Sequence, residues 1–444
     1  MMNTVDTIAA LASGVNGAIA VIRLSGAESL DIAHRLIGNK IRLDGGNTRK
    51  MMLVKIGFDH ALAVYFKGPA SYTGEDVVEF QCHGGARTAK SVLELLLSQD
   101  ECRLAEPGEF TFRAFVNGKL DLVQSEAVAD LIESNNDLAM KIASRQLEGS
   151  LSSKLNDLRK KLLFILSECE SRLDFPEENL DWDEELPLKI SDALKQVNQL
   201  LDSAKRGDVL RNGVKTVIVG KPNAGKSSLL NFLLGYDRAI VTDIAGTTRD
   251  SLEEAVTIRD IPVRLIDTAG LRENAGAIEK IGIERSYKHL DEAQAVFWLL
   301  DASAPDTDEL LKYCGKNNNI IAVWNKCDLI DNKTELPALP VPSVKISVLK
   351  GEGLDSLCDA FEKLVWGMDE HASEADFAVN TRHAALLEEI KILLGEAIIN
   401  CSDAEFEIAA VQLHSAMRNL GLITGETADA DILGEIFSRF CIGK

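Results

Sequence analysis

Short apolar runs at 18–24, 61–66 and 77–82 read as strands, and 88–97 has the spacing of a helix. Such a mixture predicts an α+β domain over residues 1–118. The pattern then lengthens. Leu151, Leu155, Leu158, Leu162, Ile165 and Cys169 recur at steps of four and three, an apolar seam of helical period. The acidic run from Asp174 to Glu185, which contains Pro176, interrupts that seam and reads as a solvated turn between helices. From about 214 to 376 the chain alternates. Apolar strands at 214–219, 263–266, 296–300, 320–324 and 344–346 punctuate helical segments, which predicts a mostly parallel sheet flanked by helices on both faces. Helical periodicity returns at 380–400 and 403–420. The economical arrangement is one discontinuous α-helical domain, made from 119–213 and 379–444, with an α/β domain over 214–378 inserted into it.

Composition narrows the function classes. The 444 residues are 46% apolar and 26% charged, as expected of a multidomain globular protein. No apolar run is long enough for a transmembrane span; 295–300 is typical of the longest. The start lacks a basic segment and carries Asp6 within its first apolar stretch, against a signal peptide. Eight scattered cysteines without a Cys-x-x-Cys pair indicate neither a zinc site nor a disulfide framework, so a cytoplasmic location is expected. Of the net charge of −21, all but −1 lies after residue 118, so any nucleic-acid contact is expected to be local or shared with a more basic partner, against a long groove tracking phosphates.

Candidate chemistry begins at 220–227, Gly-Lys-Pro-Asn-Ala-Gly-Lys-Ser, directly after an apolar strand and before the helical run 228–234. That is the context of a phosphate-binding loop. Gly220 and Gly225 let backbone N–H groups face phosphates, Lys226 reaches the β/γ-phosphates and the Ser227 hydroxyl ligates Mg²⁺. Asp267-Thr-Ala-Gly270 follows a strand and can hold a Mg²⁺-bound water and sense a γ-phosphate. Thr248, in Gly246-Thr-Thr-Arg-Asp250, completes the Mg²⁺ shell. Asn325-Lys-Cys-Asp328 places a carboxylate to accept from the guanine edge, which favours GTP over ATP. Ser347-Val-Leu349 stands where a loop would cover the base.

Many small GTPases carry a water-orienting glutamine after Asp-x-x-Gly, but here Leu271 occupies that position. Catalysis must therefore use another group or an outside activator. Asn223 either ligates a monovalent cation at the β/γ bridge, in place of an arginine finger, or merely caps the loop.

These motifs and their flanks resemble the MnmE (TrmE) family of tRNA-modification GTPases. The likeness includes Asp6-Thr-Ile-Ala9, Ile22-Arg-Leu-Ser-Gly26, Tyr72-Thr-Gly-Glu-Asp76 with Glu79, His83-Gly-Gly85 and Pro107-Gly-Glu-Phe-Thr111. It continues through Arg113-Ala-Phe115, Asn117-Gly-Lys-Leu-Asp-Leu122, Glu126-Ala-Val-Ala-Asp-Leu131 and the terminal Cys441-Ile-Gly-Lys444, and so spans the whole chain. The resemblance implies an N-terminal folate-binding domain that dimerises, a discontinuous helical domain and an inserted Ras-like G domain. It implies GTP contacts at Asn223, Ala224, Gly225, Lys226, Ser227 and Ser228, and at Thr242, Asp243, Ile244, Ala245, Gly246, Thr247 and Thr248. Further GTP contacts are implied at Asp267, Thr268, Ala269, Gly270, Asn325, Lys326, Asp328, Ser347, Val348 and Leu349. Potassium ligands would be Asn223, Thr242, Ile244 and Thr247, and Glu279 the catalytic acidic residue, with Glu284 close by in sequence. Folate contacts would be Arg23, Glu79, Lys119 and Lys444; read without the family, each is an ordinary surface charge. Cys441 is either a reactive thiol activated by Lys444 or a small residue packed near the chain end.

The function so implied is GTP hydrolysis, stimulated by K⁺ and G-domain pairing in a homodimer, during modification of carbon 5 of the tRNA wobble uridine. A tetrahydrofolate derivative supplies the one-carbon unit, and an FAD-dependent MnmG-type partner takes part. The chain shows no dinucleotide-binding Gly-x-Gly-x-x-Gly after a strand, consistent with FAD on that partner only. The rival is a regulatory GTPase switch in ribosome assembly, but 119–212 and 379–444 together carry 18 basic against 29 acidic residues, unlike an RNA-binding module. A stand-alone folate aminomethyltransferase with a vestigial GTPase would leave the intact Lys226, Asp267 and Asp328 unexplained.

Overall fold

The computed structural model describes residues 6–15, 17–38, 43–134, 136–174, 185–236, 253–267, 290, 292–314, 319–331, 334–367 and 377–444. Its contacts divide the chain into two compact units: 1–129, 146–197 and 385–444 form the first, and 130–145 with 198–384 the second.

The first unit opens with β1 (Thr7–Leu11), β2 (Ile19–Ser25), α1 (Ser29–Ile37), β3 (Met52–Ile56), β4 (Asp59–Phe66), β5 (Val77–His83), α2 (Ala86–Leu97) and β6 (Cys102–Leu104). The strands lie in the order β3-β4-β5-β2-β1-β6, antiparallel except for the β1/β6 pair. One sheet face is apolar and packs on α1 and α2: Ile22, Leu24, Val78, Phe80, Ile32, Val92 and Leu96 are all buried. Because side chains alternate across a strand, the same registers put Arg23 opposite Glu79 on the other face.

Helices follow: α3 (Glu109–Val116), α4 (Leu122–Glu133), α5 (Asp137–Leu147), α6 (Ser150–Asp174) and α7 (Leu186–Asn212). The predicted seam is present, with all six of its residues buried along α6. The acidic interruption between α6 and α7 falls mostly at 175–184, outside the described residues.

The second unit carries β7 (Val214–Gly220), α8 (Lys226–Tyr236), β8 (Glu253–Ile258), β9 (Ile261–Asp267), β10 (Ala295–Asp301), α9 (Asp308–Tyr313), β11 (Ile320–Asn325), β12 (Ser343–Lys345) and α10 (Leu354–Trp366). Its sheet runs β12-β11-β10-β7-β9-β8, parallel throughout except for edge strand β8. Continuous burial of β10 and β11 reflects cover on both faces, as parallel sheets require. Phe297 and Phe361 pack edge to face on one side, and Trp298 against Tyr313 on the other. The chain returns through α11 (Thr381–Ser402), α12 (Phe406–Thr424) and α13 (Ala430–Ser438). No described helix is long and apolar enough to cross a membrane.

Candidate functional site

In the second unit β7 delivers the chain to the loop 221–225 and α8 begins at Lys226. Loop residue Asn223 has φ of 62° and Gly225 φ of 102°, so the backbone turns through the left-handed region. Gly225 also has no room for a side chain: a Cβ there would lie 2.2 Å from Asn325 Nδ2. That close approach has a purpose. Asn325, 4% exposed at the end of β11, donates through Nδ2 to the Ala224 carbonyl at 2.8 Å. Its Oδ1 accepts from the Val348 amide at 3.2 Å. One side chain thus ties the phosphate loop to the segment expected to cover the base.

Asp328 is fixed from the same segment. Its Oδ1 accepts from the Ser347 hydroxyl at 2.7 Å, and that hydroxyl accepts from the Lys350 amide at 3.2 Å. The Ser347 backbone exchanges both its hydrogen bonds with Glu352. A carboxylate has about four lone-pair positions, so Ser347 aims the group and leaves it able to accept from a base edge. Lys326, at φ of 64°, sends its ammonium to Asp301 Oδ2 at 2.5 Å. Burial opposes the charge of Asp301, yet hydrogen bonds from Lys326 and Ser303 outweigh it and hold the carboxyl below its ordinary pKa.

The Lys226 ammonium donates to the carbonyls of Gly220 and Lys221, both at 2.8 Å, and so lies over the loop itself. Lys221 pairs with Asp306. Ser227 and Ser228 are exposed on the first turn of α8, where unpaired helix N–H groups concentrate. Asp267 closes β9 in register with Ile218 of β7. The expected contacts Thr242, Asp243, Ile244, Ala245, Gly246, Thr247, Thr248, Thr268, Ala269 and Gly270 lie outside the described residues, as do Leu271, Glu279 and Glu284.

The first unit brings a second set together. Arg23 Nε donates to Glu79 Oε1 at 2.8 Å. Its guanidinium lies over the rings of Tyr72 and Phe110, at 5.5 and 5.6 Å from their centroids. The Tyr72 and Thr111 hydroxyls share a 2.9 Å hydrogen bond. Burial pushes the Tyr72 phenol up against the opposing pull of Thr111 and Arg23, so it stays neutral. The loop carrying Tyr72 is held by Ser25, which bonds Thr73 at 2.7 Å and donates to Glu75 Oε2 at 2.7 Å. Asn117 donates to the Thr73 carbonyl at 2.7 Å, and Lys119 to the Pro69 carbonyl at 3.0 Å.

Beneath that loop is a buried ionic network. Arg113 and Glu109 are both fully buried, joined at 2.8 Å, and Arg113 also reaches Asp6 at 2.8 Å and Glu75 at 3.2 Å. Arg103 bonds Glu109 at 2.6 Å and Asp6 at 2.7 Å. Burial raises the cost of charge on Glu109 and Asp6, but the two arginines prevail and both carboxyls are held below their usual pKa.

The chain's own end docks here. Ile442 bridges to Pro107, the Gly108 amide donates to the Cys441 carbonyl at 3.4 Å, and the Phe110 amide donates to a Lys444 oxygen at 3.2 Å. Gly443, at φ of 96°, makes the kink; a Cβ on it would sit 2.2 Å from the Leu11 carbonyl. Lys444 therefore meets Phe110, whose ring faces Arg23, while Cys441 is exposed. Of the four expected folate contacts, Arg23 and Glu79 touch. Lys444 meets Phe110 by a backbone hydrogen bond, and Lys119 meets the loop that carries Tyr72. Motif reasoning missed the flanking role of Tyr72 and Phe110, both inside quoted motifs, and the double bridge made by Asn325.

Comparison with known proteins identifies the family. The profile of the MnmE helical domain matches residues 122–441, and that of the GTP-binding protein TrmE N-terminus matches residues 7–119. The tRNA modification GTPase MnmE of Clostridioides difficile (strain 630) is 41% identical over 99% of each chain. The protein of the same name from Natranaerobius thermophilus is 41% identical over 99% of this chain and 100% of its own. Among solved structures, the G domain of the T. maritima FeoB iron transporter is 29% identical over 34% of this chain and 98% of its own; its TM-score of 0.27 is too low to bear on the fold. Identity of this extent over the full length places the chain in the MnmE family of tRNA modification GTPases.

Proposed function

We propose that this GTPase uses hydrolysis, stimulated by K⁺ and by pairing of G domains in a homodimer, to drive modification of carbon 5 of the wobble uridine in certain tRNAs. In this reading 1–118 binds folate and dimerises, 119–213 with 379–444 forms the helical domain, and 214–378 is the G domain. A tetrahydrofolate derivative supplies one carbon, and an FAD-dependent MnmG-type partner acts with it in the cytoplasm to install an aminomethyl or carboxymethylaminomethyl group.

The observation that carries this reading is the Arg23–Glu79 pair, flanked by Tyr72 and Phe110 and met by the chain's own end. Arg23 and Lys444 suit a glutamyl carboxylate, and Glu79 suits the donors of a pterin amide edge. The names of the relatives support the tRNA assignment.

In the G domain, Lys226 and the amides of 223–228 bind the β/γ-phosphates, and Asp328, aimed by Ser347, reads guanine. Ser227, exposed on the first turn of α8, fits a Mg²⁺ ligand together with Thr248; exposed Asn223 fits a K⁺ ligand together with Thr242, Ile244 and Thr247. These cations, when bound, supply the positive charge that offsets charge developing between the phosphates. Glu279 orients the attacking water in place of the glutamine that Leu271 displaces.

Replacing K⁺ by Na⁺ in a GTPase assay should slow phosphate release, and an unchanged rate would remove the cation from the proposal. Reconstitution with the FAD partner, GTP, K⁺, folate and tRNA, followed by nucleoside mass spectrometry, should yield a modified wobble uridine. Unaltered nucleosides in that mixture would overturn the tRNA chemistry.

A further inference from the structure

Cys169 and Cys401 stand 232 positions apart in sequence, on either side of the nucleotide-binding segment, yet their sulfurs lie 3.9 Å apart. Cys169 is the last residue of the α6 seam and Cys401 occupies the final turn of α11, within the same compact unit. Among the described residues this is the one pair of cysteine side chains in hydrogen-bond contact. The two are unequal: Cys169 is fully buried and Cys401 is 6% exposed. Arg172, one turn beyond Cys169, lies over the Phe406 ring at 4.9 Å and keeps a cation beside the thiols.

We propose that Cys169 and Cys401 are a peroxide-sensitive pair that forms a reversible disulfide, stapling α6 to the C-terminal turn of α11. A disulfide needs its sulfurs at about 2.05 Å, so closure from 3.9 Å asks for about 2 Å of approach. Cys401 is the attacking sulfur. Of the two it is the one that reaches the surface, 6% exposed against 0% for Cys169, and the Arg172 guanidinium beside both thiols favours a thiolate. The Cys401 sulfur takes one peroxide oxygen as the O–O bond breaks and one water leaves, giving a sulfenic acid. The Cys169 sulfur then displaces that oxygen as a second water. Two thiols and one peroxide become one disulfide and two waters, and a dithiol reductant reverses the change.

The consequence follows from the sequence separation. The cross-link closes a loop that contains the whole nucleotide-binding segment, and the constraint on the unfolded chain grows with loop length. The full-length chain is treated with hydrogen peroxide, quenched with N-ethylmaleimide and digested without reductant for peptide mass spectrometry. The expected product joins the peptides of Cys169 and Cys401, lighter than their sum by two hydrogens, and dithiothreitol separates it. The urea midpoint of helix unfolding should rise on oxidation and fall back on reduction, and it should not move in Cys401→Ala. If both peptides carry N-ethylmaleimide after peroxide, or Cys169 is found linked to another cysteine, the proposal fails. The wild-type peptide map decides this even if the variant does not fold.

Discussion

The phosphate loop and the cluster around Arg23 are built in opposite ways. The loop is local: the residues at 223–228 are consecutive, their geometry follows from two glycines and a helix start, and one asparagine, Asn325, fastens the result to the base segment. The Arg23 site is assembled. Arg23 comes from β2, Glu79 from β5, Tyr72 from a loop and Phe110 from α3, and the Phe110 amide donates to the Lys444 carbonyl. A local site tolerates distant change and fails on any change within it. An assembled site depends on whatever holds its pieces in register, here the buried network under the Tyr72 loop. The difference predicts where each is vulnerable.

The largest effect should come from that network. Arg113→Met leaves Glu109 and Asp6 with Arg103 as their one remaining cation and takes the arginine from Glu75, which keeps its bond from Ser25. Breaking a buried ion pair from one side costs about 3–5 kcal/mol, which chemical denaturation would report as a lowered midpoint for the first unit. Nucleotide binding, measured by a fluorescent GTP analogue under native conditions, should change little. Acid sharpens the same point. Glu109 and Asp6 have folded-state pKa values below their unfolded ones, so their contribution is fully present above about pH 4.5 and is lost as pH falls through the lowered values. Stability of the first unit should drop steeply below about pH 4 in the parent and less steeply in Arg113→Met.

Next is Lys226→Ala, the converse test. Removing a positioned cation from developing phosphate charge costs about 10²–10³-fold in rate, seen in steady-state phosphate release, while the denaturation midpoint of the first unit stays put. A third substitution, Arg23→Ala, deletes the charge that meets both Glu79 and the two rings. Losing a charge-assisted hydrogen bond costs about 1.5–3 kcal/mol, so affinity for a tetrahydrofolate derivative, read by calorimetry, should fall about 10- to 100-fold with GTP hydrolysis retained. Equal loss of both activities would erase the distinction between the two sites.

The same contrast explains what was legible in the chain. The strands β10 and β11 announce themselves as unbroken apolar runs because both their faces are covered. Edge strand β8, Glu253–Ile258, does not, since it begins with two glutamates and pairs on one side only. The phosphate loop and the Asn325–Asp328 motif could be read because their chemistry lies in adjacent residues. Nothing along the chain says that Glu79 faces Arg23 until the β2/β5 register is set, or that Phe110 will meet Arg23 with its ring and Lys444 with its amide. There, only resemblance pointed to the residues. Cys169 is a similar case: it belonged to a helical seam, and its neighbour was 232 positions away.

The smallest expected effect tests whether the nucleotide site is as local as this contrast holds. Ser347 touches no phosphate and lies far along the chain from the loop, but its hydroxyl donates to Asp328 and accepts from Lys350. Were the base site self-sufficient in its Asn-Lys-x-Asp motif, Ser347→Ala would be silent. If Asp328 depends on being aimed, the substitution removes a donor that water replaces in part at this half-buried carboxylate and leaves the Lys350 amide to water, a net cost of about 1 kcal/mol. GTP affinity would then fall about fivefold with the maximal hydrolysis rate unchanged, because Ser347 acts on the base and not on the phosphates. The split between affinity and rate is the discriminating measurement: a lowered rate would mean that the Val348–Asn325–Ala224 bridge transmits the change into the loop. In that event the phosphate loop, too, is held from a distance, and the two sites differ in degree only.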